Sequence, residues 1–301
     1  MKKILILSGK GGTGKTTLAA ALIKLANIKA FADCDVDAPN LHLVTNFTKK
    51  PLEKEFLGMQ KALINPDKCV ACGRCEANCR FDAIHSVTIN SRTVYKVEAT
   101  ACEGCGVCQL VCPAEAITMV DDVAGNLALY KDSDSTFATA KLVMGRGNSG
   151  LLVTSVKKML YENLDNNFLE QKNPENVAII DGSPGIGCPV LASINGVNMV
   201  LLVTEPSISG LSDLERIALT TKRLGVETKV IINKYDASLT NTKKIIDFCK
   251  TLGLEIIGKI PFDKEVPKAI NAGKTIADTN SAARQAVIDI IKNIDLLKER
   301  I

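Results

Sequence analysis

Gly9-Lys10-Gly11-Gly12-Thr13-Gly14-Lys15-Thr16-Thr17 is the stretch that decides how this chain folds. It contains G-x-x-x-x-G-K-T, from Gly9 to Thr16. A short apolar run, Ile4 to Ser8, precedes it, and an Ala-rich apolar run, Leu18 to Leu25, follows. The order reads strand, loop, helix. Glycines let the backbone curl so that several N–H groups point at one phosphate. A helix starting at the loop presents its positive end to the anion. Lys15 would reach the β- and γ-phosphates and Thr16 would offer its hydroxyl to Mg²⁺. Gly11, Gly12, Thr13, Gly14, Lys15, Thr16 and Thr17 are therefore the candidate phosphate contacts. A glycine-rich turn without a ligand is the bland alternative, and the flanking strand and helix argue against it.

Working outward, Phe31 to Cys34 is a second apolar run ending among acidic residues, and Val177 to Ile180 a third, followed by Asp181. Met199 to Thr204 and Val230 to Asn233 read as further strands. Helical patterns lie between them, as at Leu211–Leu224 and Thr242–Leu252. Strands alternating with helices predict an α/β fold, a doubly wound and mostly parallel sheet covered on both faces.

Residues 58–121 break the rhythm. They hold eight of the 11 cysteines, and they contain an internal repeat. Cys69 to Ile84 aligns with Cys102 to Ile117 at an offset of 33, with seven of 16 positions identical. The expected organisation is a larger domain over 1–57 and 122–301, interrupted by a small α+β domain at 58–121.

Composition bounds the function. The 301 residues are 46% hydrophobic and 23% charged, which excludes wholesale disorder. The 37 basic and 33 acidic residues are too balanced for a nucleic-acid coat. Aromatics at 4% and the absence of Trp speak against an extensive base-stacking surface. No stable nucleic-acid or membrane binding is expected. The only basic bias, nine basic against five acidic groups, lies in residues 1–57, where the phosphate loop sits. Ile4 to Leu7 is too short for a signal-peptide core, and no run of 18 apolar residues occurs. The expectation is a cytoplasmic protein whose clustered cysteines are metal or redox groups rather than disulfides.

C-x2-C-x2-C-x3-C occurs twice, at Cys69, Cys72, Cys75 and Cys79 and at Cys102, Cys105, Cys108 and Cys112. This spacing resembles bacterial two-cluster ferredoxins. The resemblance implies one [4Fe–4S] cluster on Cys69, Cys72, Cys75 and Cys112, and a second on Cys102, Cys105, Cys108 and Cys79. Zinc also takes paired C-x2-C ligands, but four evenly spaced cysteines, duplicated, suit it poorly. Pro113 follows Cys112, whereas Arg80 follows Cys79, a departure that adds a positive charge near one cluster.

With its early lysine, Lys10, the phosphate loop resembles the deviant Walker A of the MinD/ParA/Mrp and nitrogenase-iron-protein superfamily of P-loop ATPases. The resemblance implies that Lys10 reaches across a nucleotide-dependent homodimer to the partner's nucleotide. Asp33-Cys34-Asp35-Val36-Asp37 resembles the family's first switch, with Asp35 the water-polarising carboxylate and Asp33 and Asp37 supporting magnesium. Capping and turn formation also suit these residues. Ile179 to Gly185 resembles the Walker B strand and second switch, with Asp181 holding Mg²⁺ through water. Lys10, Lys15, Asp35 and Asp181 form the implied catalytic set. Asn233 would contact the adenine, beside Pro261 and Asp263. Asn233-Lys234-Tyr235-Asp236 also matches the guanine pattern N-K-x-D, so GTP stays open beside ATP.

The expected cofactors are ATP, Mg²⁺ and two [4Fe–4S] clusters. The leading functional expectation is an ATP-driven switch coupled to iron–sulfur chemistry, either gated electron transfer or cofactor assembly, with a redox or cofactor-bearing protein partner. The alternatives are a ParA/MinD-type positioning ATPase with clusters as sensors, and a plain electron carrier with a vestigial ATPase site. Cys188 follows the second switch at the spacing where nitrogenase iron proteins place a ligand, and a plain loop cysteine is the competing reading. The amphipathic stretch Ala286–Ile301 carries a mixed-charge polar face, which favours packing on the sheet over membrane attachment.

Overall fold

A computed structural model describes residues 1–45, 47–89, 91–132, 134–164 and 176–300. In chain order the first elements are β1 (Lys2–Leu7), α1 (Lys15–Leu25), β2 (Ala30–Asp33) and β3 (Leu52–Leu57). Next come β4 (Lys61–Ile64), α2 (Arg74–Ala77), β5 (Ile84–Ile89), β6 (Arg92–Val97), α3 (Val107–Leu110) and β7 (Ile117–Val120). Then follow β8 (Val123–Lys131), β9 (Thr136–Leu142), α4 (Ser149–Glu162), β10 (Val177–Asp181) and α5 (Cys188–Ile194). The chain closes with β11 (Met199–Thr204), α6 (Ile208–Arg223), β12 (Glu227–Asn233), α7 (Leu239–Leu252), β13 (Glu255–Ile260), α8 (Glu265–Asn271) and α9 (Ala282–Lys292).

The chain divides into two compact units. The larger comprises Met1–Glu53, Leu127–Lys141 and Ser149–Ile301, and the smaller Lys54–Asn126 with Leu142–Asn148. The smaller unit therefore takes in more chain than the 58–121 segment marked by the cysteine repeats. Its second piece, Leu142–Asn148, holds no cysteine and ends in a turn-rich run, Gly145 to Asn148.

The main sheet runs in the order β13-β12-β11-β1-β10-β2-β9-β8-β3. The pairings from β13 through β9 are all parallel. Alternation along β1 puts Ile4 and Ile6 on one face and Leu5 and Leu7 on the other, and all four are fully buried. That double burial is why the parallel strands read as unbroken apolar runs. On the Ile4 face the core includes Leu18 and Leu22 of α1 and Val287, Ile290 and Ile291 of α9. Ile294 and Leu297 just beyond α9 are fully buried too. The C-terminal amphipathic stretch thus packs on the sheet, as its charge pattern predicts; its last residue, Ile301, lies outside the described residues. No helix among the described residues is long and apolar enough to cross a membrane.

Strand register gathers the chemistry. β10 lies between β1 and β2, with Ile6 opposite Asp181 and Asp181 opposite Asp33. The phosphate loop and both acidic strand ends therefore meet at the carboxyl edge of neighbouring parallel strands, where open α/β sheets bind their ligands.

The smaller unit shows its duplication in three dimensions. Helices α2 and α3 lie 33 residues apart, and each starts after a glycine, Gly73 or Gly106, at φ 74°. That left-handed conformation favours glycine. Asp82 and Glu115 repeat the same offset with φ of 49° and 47°. The unit is finished by two antiparallel pairs, β4 with β7 and β5 with β6.

Candidate functional site

The phosphate loop turns into α1 at Gly14, whose φ is 90°. A side chain there would also collide with Asn233, since a Cβ would stand 2.3 Å from its Nδ2. Lys15 is buried, with its Nζ 2.7 Å from Asp181 Oδ1, 3.8 Å from Asp35 Oδ2 and 3.4 Å from the Thr16 hydroxyl. Burial opposes the Lys15 charge, but Asp181, and after it Asp35 and Asp33, hold it above the ordinary lysine range. Asp35 is itself raised, chiefly by partial burial. Of the residues expected to act on the γ-phosphate, Lys15, Thr16, Asp35 and Asp181 lie together.

Two oxygens here lack a protein partner among the described residues: Asp181 Oδ2 and Thr13 Oγ1, both buried. A buried acceptor without a donor is costly. A hydrated magnesium ion would satisfy the Asp181 oxygen, and a nucleotide phosphate the Thr13 hydroxyl. The donor set, a hydroxyl and carboxylate oxygens, suits Mg²⁺.

Asp33 has a different task from the magnesium support the resemblance implies. Its Oδ1 accepts from the Asp35 N–H at 3.0 Å, and its Oδ2 from the N–H groups of Asn40 and Leu41, each at 2.9 Å. It is the brace of the 35–41 loop. Burial, then the nearby Asp181, pushes its carboxyl up to about 7.

Lys10 points away from its own phosphate loop. Its Nζ is 2.7 Å from Glu205 Oε1, 3.0 Å from Ser209 Oγ and 3.3 Å from Ser207 Oγ. Burial raises the Glu205 carboxyl, but Lys10 and then Lys234 outweigh it and hold the group below its usual range. No local motif flags Glu205; it sits just past the end of β11, nearly 200 residues downstream.

A cavity of about 290 Å³ opens beside the loop, lined by Gly12, Gly14, Asn233, Pro261, Asp263 and the apolar Phe262, among others. Three expected base contacts, Asn233, Pro261 and Asp263, thus line one cavity. Asn233 is already committed: its Nδ2 donates to the Thr13 carbonyl at 2.7 Å, and its Oδ1 accepts from the Lys234 N–H at 3.0 Å. Asp236, the acidic member of N-K-x-D, accepts from the Phe262 N–H at 2.7 Å.

In the smaller unit the two cysteine runs cross over. One cavity is lined by Cys69, Cys72, Cys75 and Cys112, the other by Cys102, Cys105, Cys108 and Cys79. The backbone N–H of Ala83 points at Cys79 Sγ and that of Ala116 at Cys112 Sγ, each at 3.4 Å. Among the described residues no three His, Cys, Asp or Glu side chains converge closely enough to hold a single metal ion. The four cysteines of each set line one cavity, and their side chains offer only sulfur. Arg92 donates to the Cys69 carbonyl at 2.9 Å, and Lys61 to that of Cys102.

Cys188 is exposed at the start of α5, and Gly150 lies against it: a Cβ on Gly150 would come 3.4 Å from Cys188 Cβ. Cys34 and Cys249 are buried, as expected for small apolar side chains. Sequence reasoning also missed Lys157, in the middle of α4. Its Nζ donates to the carbonyls of Ala192, Ser193 and Asn195 at 2.9, 2.8 and 2.6 Å, closing the end of α5. Only the burial of a lysine on an apolar helix face marks it, and that is visible in the fold alone.

A family described as the CobQ/CobB/MinD/ParA nucleotide binding domain matches residues 4–276. An uncharacterized protein of Methanocaldococcus jannaschii is 31% identical over 97% of this chain and 96% of its own. The septum site-determining protein MinD of Bacillus subtilis is 24% identical over 97% of this chain and 88% of its own. The solved structure of MinD from Pyrococcus horikoshii, complexed with Mg-ADP, superposes with a TM-score of 0.56 at 17% identity, covering 100% of this chain and 98% of that one. With its phosphate loop, its acidic strand ends and this match over most of its length, the chain belongs to the CobQ/CobB/MinD/ParA nucleotide-binding family and is a P-loop ATPase.

Proposed function

We propose that the chain is an ATP-driven dimeric switch of the MinD/ParA type, which docks on its target according to the nucleotide it holds. One observation carries the reading: Lys15, Thr16, Asp35 and Asp181 gather at the mouth of the loop, around a buried Asp181 oxygen that lacks a partner among the described residues. In this reading Thr16 and Asp181 hold Mg²⁺, Lys15 neutralises the γ-phosphate, and Asp35 orients the attacking water. Lys10 leaves Glu205 and completes the site of a second copy. ATP is favoured over GTP because one oxygen of the Asp236 carboxylate, the guanine-reading member of N-K-x-D, already accepts from the Phe262 N–H. The kinship with MinD, a septum site-determining protein, supports a positioning role better than ATP-gated electron transfer.

A second reading concerns the smaller unit, and the two thiol-lined cavities favour it. Each holds four cysteines, three from one run and the fourth from the other, which suits a [4Fe–4S] cluster. When bound, the two clusters would supply one-electron chemistry. They would serve the switch as redox sensors, or deliver electrons or a cofactor to a protein partner.

The experiment is performed on the full chain, purified and handled without oxygen in the cytoplasm-like reducing conditions the reading assumes. Iron and sulfide content and low-temperature EPR test the clusters. Co-sedimentation with DNA and with anionic vesicles, with ATP, ADP or a non-hydrolysable analogue, tests positioning. ATP-dependent sedimentation supports the positioning switch. Its absence, together with ATP-dependent capture of a redox protein from native extract, moves the conclusion to electron or cofactor transfer. Lack of ATP turnover in every form sinks both.

A further inference from the structure

We propose that Ser183 is a positioning residue for ATP hydrolysis, a hydroxyl clasp that sets the peptide carrying Asp35. The inference rests on the reading of Asp35 as the carboxylate that orients the attacking water. The peptide between Cys34 and Asp35 is held at both of its polar ends. Its carbonyl accepts a hydrogen bond from Ser183 Oγ at 2.6 Å, and its N–H donates to Asp33 Oδ1 at 3.0 Å. The N–H of Cys34 itself donates to the Asp181 carbonyl at 2.7 Å. A peptide is planar, so fixing its C=O and its N–H fixes the plane from which the Asp35 side chain leaves.

The clasp is dry. Ser183 is 2% exposed and Cys34 0%, which leaves no route for bulk water to replace the hydroxyl. It also joins two parts of the site that otherwise meet through the Lys15 ammonium, which faces Asp181 and Asp35, and through the Cys34 N–H on the Asp181 carbonyl. Ser183 stands two residues after Asp181, in the loop whose Gly185 N–H donates to the Ser8 carbonyl at 3.0 Å, at the entrance to the phosphate loop. Asp35 belongs to the other acidic loop, and its carboxylate faces Lys15. One hydroxyl therefore couples the segment that would hold magnesium to the segment that would hold the water. A misplacement of about 1 Å in such a constellation costs on the order of 100-fold in rate, so the clasp acts on turnover rather than on nucleotide affinity. The nucleotide itself contacts neither Ser183 nor Cys34 in this reading; the loop and Lys15 bind it.

Three substitutions in the full chain test the clasp. Ser183→Ala removes only the hydroxyl, Ser183→Thr keeps it, and Ser183→Cys puts a weaker donor in its place. Steady-state ATP turnover gives kcat and KM, titration with a fluorescent ATP analogue gives Kd, and circular dichroism verifies the fold. Ser183→Ala is expected to lower kcat roughly tenfold, the cost of one lost hydrogen bond to a buried carbonyl, with KM and Kd within about twofold. Ser183→Thr restores most of kcat, and Ser183→Cys falls between. Asp35→Asn should bring turnover to background, which tests the underlying reading. If Asp35→Asn abolishes turnover while Ser183→Ala leaves kcat unchanged, the clasp is wrong and the Asp35 reading stands. If kcat and affinity fall together, or threonine fails to rescue, Ser183 is merely structural and the proposal is overturned. Full turnover in Asp35→Asn overturns both.

Discussion

Lys10 and Glu205 form an ion pair of 2.7 Å, with Ser207 and Ser209 as additional acceptors for the same ammonium. The lysine that the family resemblance assigns to the neighbouring copy is thus held by its own chain. The pair is partly exposed, with side chains 32% and 22% accessible, so it contributes about 1 kcal/mol or less. That is enough to bias an equilibrium about fivefold. Glu205→Gln should strengthen ATP-dependent self-association by a few-fold at low salt, and the gain should shrink as salt screens the pair. Sedimentation velocity with a non-hydrolysable analogue measures it. Association that stays at the wild-type value would remove Glu205 from the switch.

Asn233 illustrates a residue whose place and whose role separate. It lines the cavity where the base is expected, yet its amide braces the phosphate loop through the Thr13 carbonyl. Asn233→Ala should therefore weaken ATP, ADP and GTP alike, by roughly fivefold for a hydrogen bond of about 1 kcal/mol. A loss confined to adenine nucleotides would return Asn233 to the base-contact role. Competition binding with the three nucleotides separates the outcomes.

What the sequence made legible is what lies in local pattern. The strand–loop–helix order around Gly9 to Thr17, the apolar runs ending at Asp33 and Asp181, and the 33-residue offset between cysteine runs are all short-range signals, and the P-loop α/β sheet follows from them. Glu205, Lys157 and the loop-bracing use of Asp33 were not legible. Each acts through partners set by tertiary packing: Glu205 through a lysine 195 positions earlier, Lys157 through the end of another helix. Asp33 stands among carboxylates that motif logic assigns to metal, and only the three N–H groups converging on it show where its oxygens are spent. The second piece of the smaller unit, Leu142–Asn148, was missed because its turn-rich end, Gly145 to Asn148, reads only as a loop before the next helix and carries neither cysteine nor periodicity.

The crossed cysteine sets make a specific prediction. Cys79 lines the cavity of the Cys102 run, and Cys112 that of the Cys69 run. If each cavity holds a cluster, Cys79→Ala should disturb the cluster of the other repeat and spare that of its own. Iron should fall by about half, and a second substitution, Cys105→Ala, should add little to it, whereas Cys72→Ala should remove most of what remains. Iron analysis and EPR of the single and double variants read this out. Additive losses from Cys79 and Cys105 would mean that the runs ligate separately.

Lys157 supplies a pH dependence whose sign follows from linkage. Burial pulls its ammonium down to about 8 from the ordinary 10.5, against a smaller opposing effect of Cys34. The charged form still has reason to persist at neutral pH, since its three N–H donors meet three carbonyls at the end of α5, where the helix dipole favours a cation. Below pH 8 the folded and unfolded chains both hold the proton, and the residue adds no slope. Between about 8 and 10.5 the unfolded chain still holds the proton that the folded chain has released. Stability contributed by Lys157 therefore rises with pH across that window. Lys157→Met keeps the stem and removes the titration. It should cost about 1–3 kcal/mol at pH 7, because three carbonyls at the end of α5, one buried and two partly buried, lose their donor. The difference between wild type and variant should then widen as pH climbs from 8 to 10. Urea unfolding followed by circular dichroism at pH 7, 8.5 and 10 measures both quantities. A difference that stays constant over this range would show that the Lys157 ammonium does not titrate there, and that its carbonyl bonds outweigh its burial.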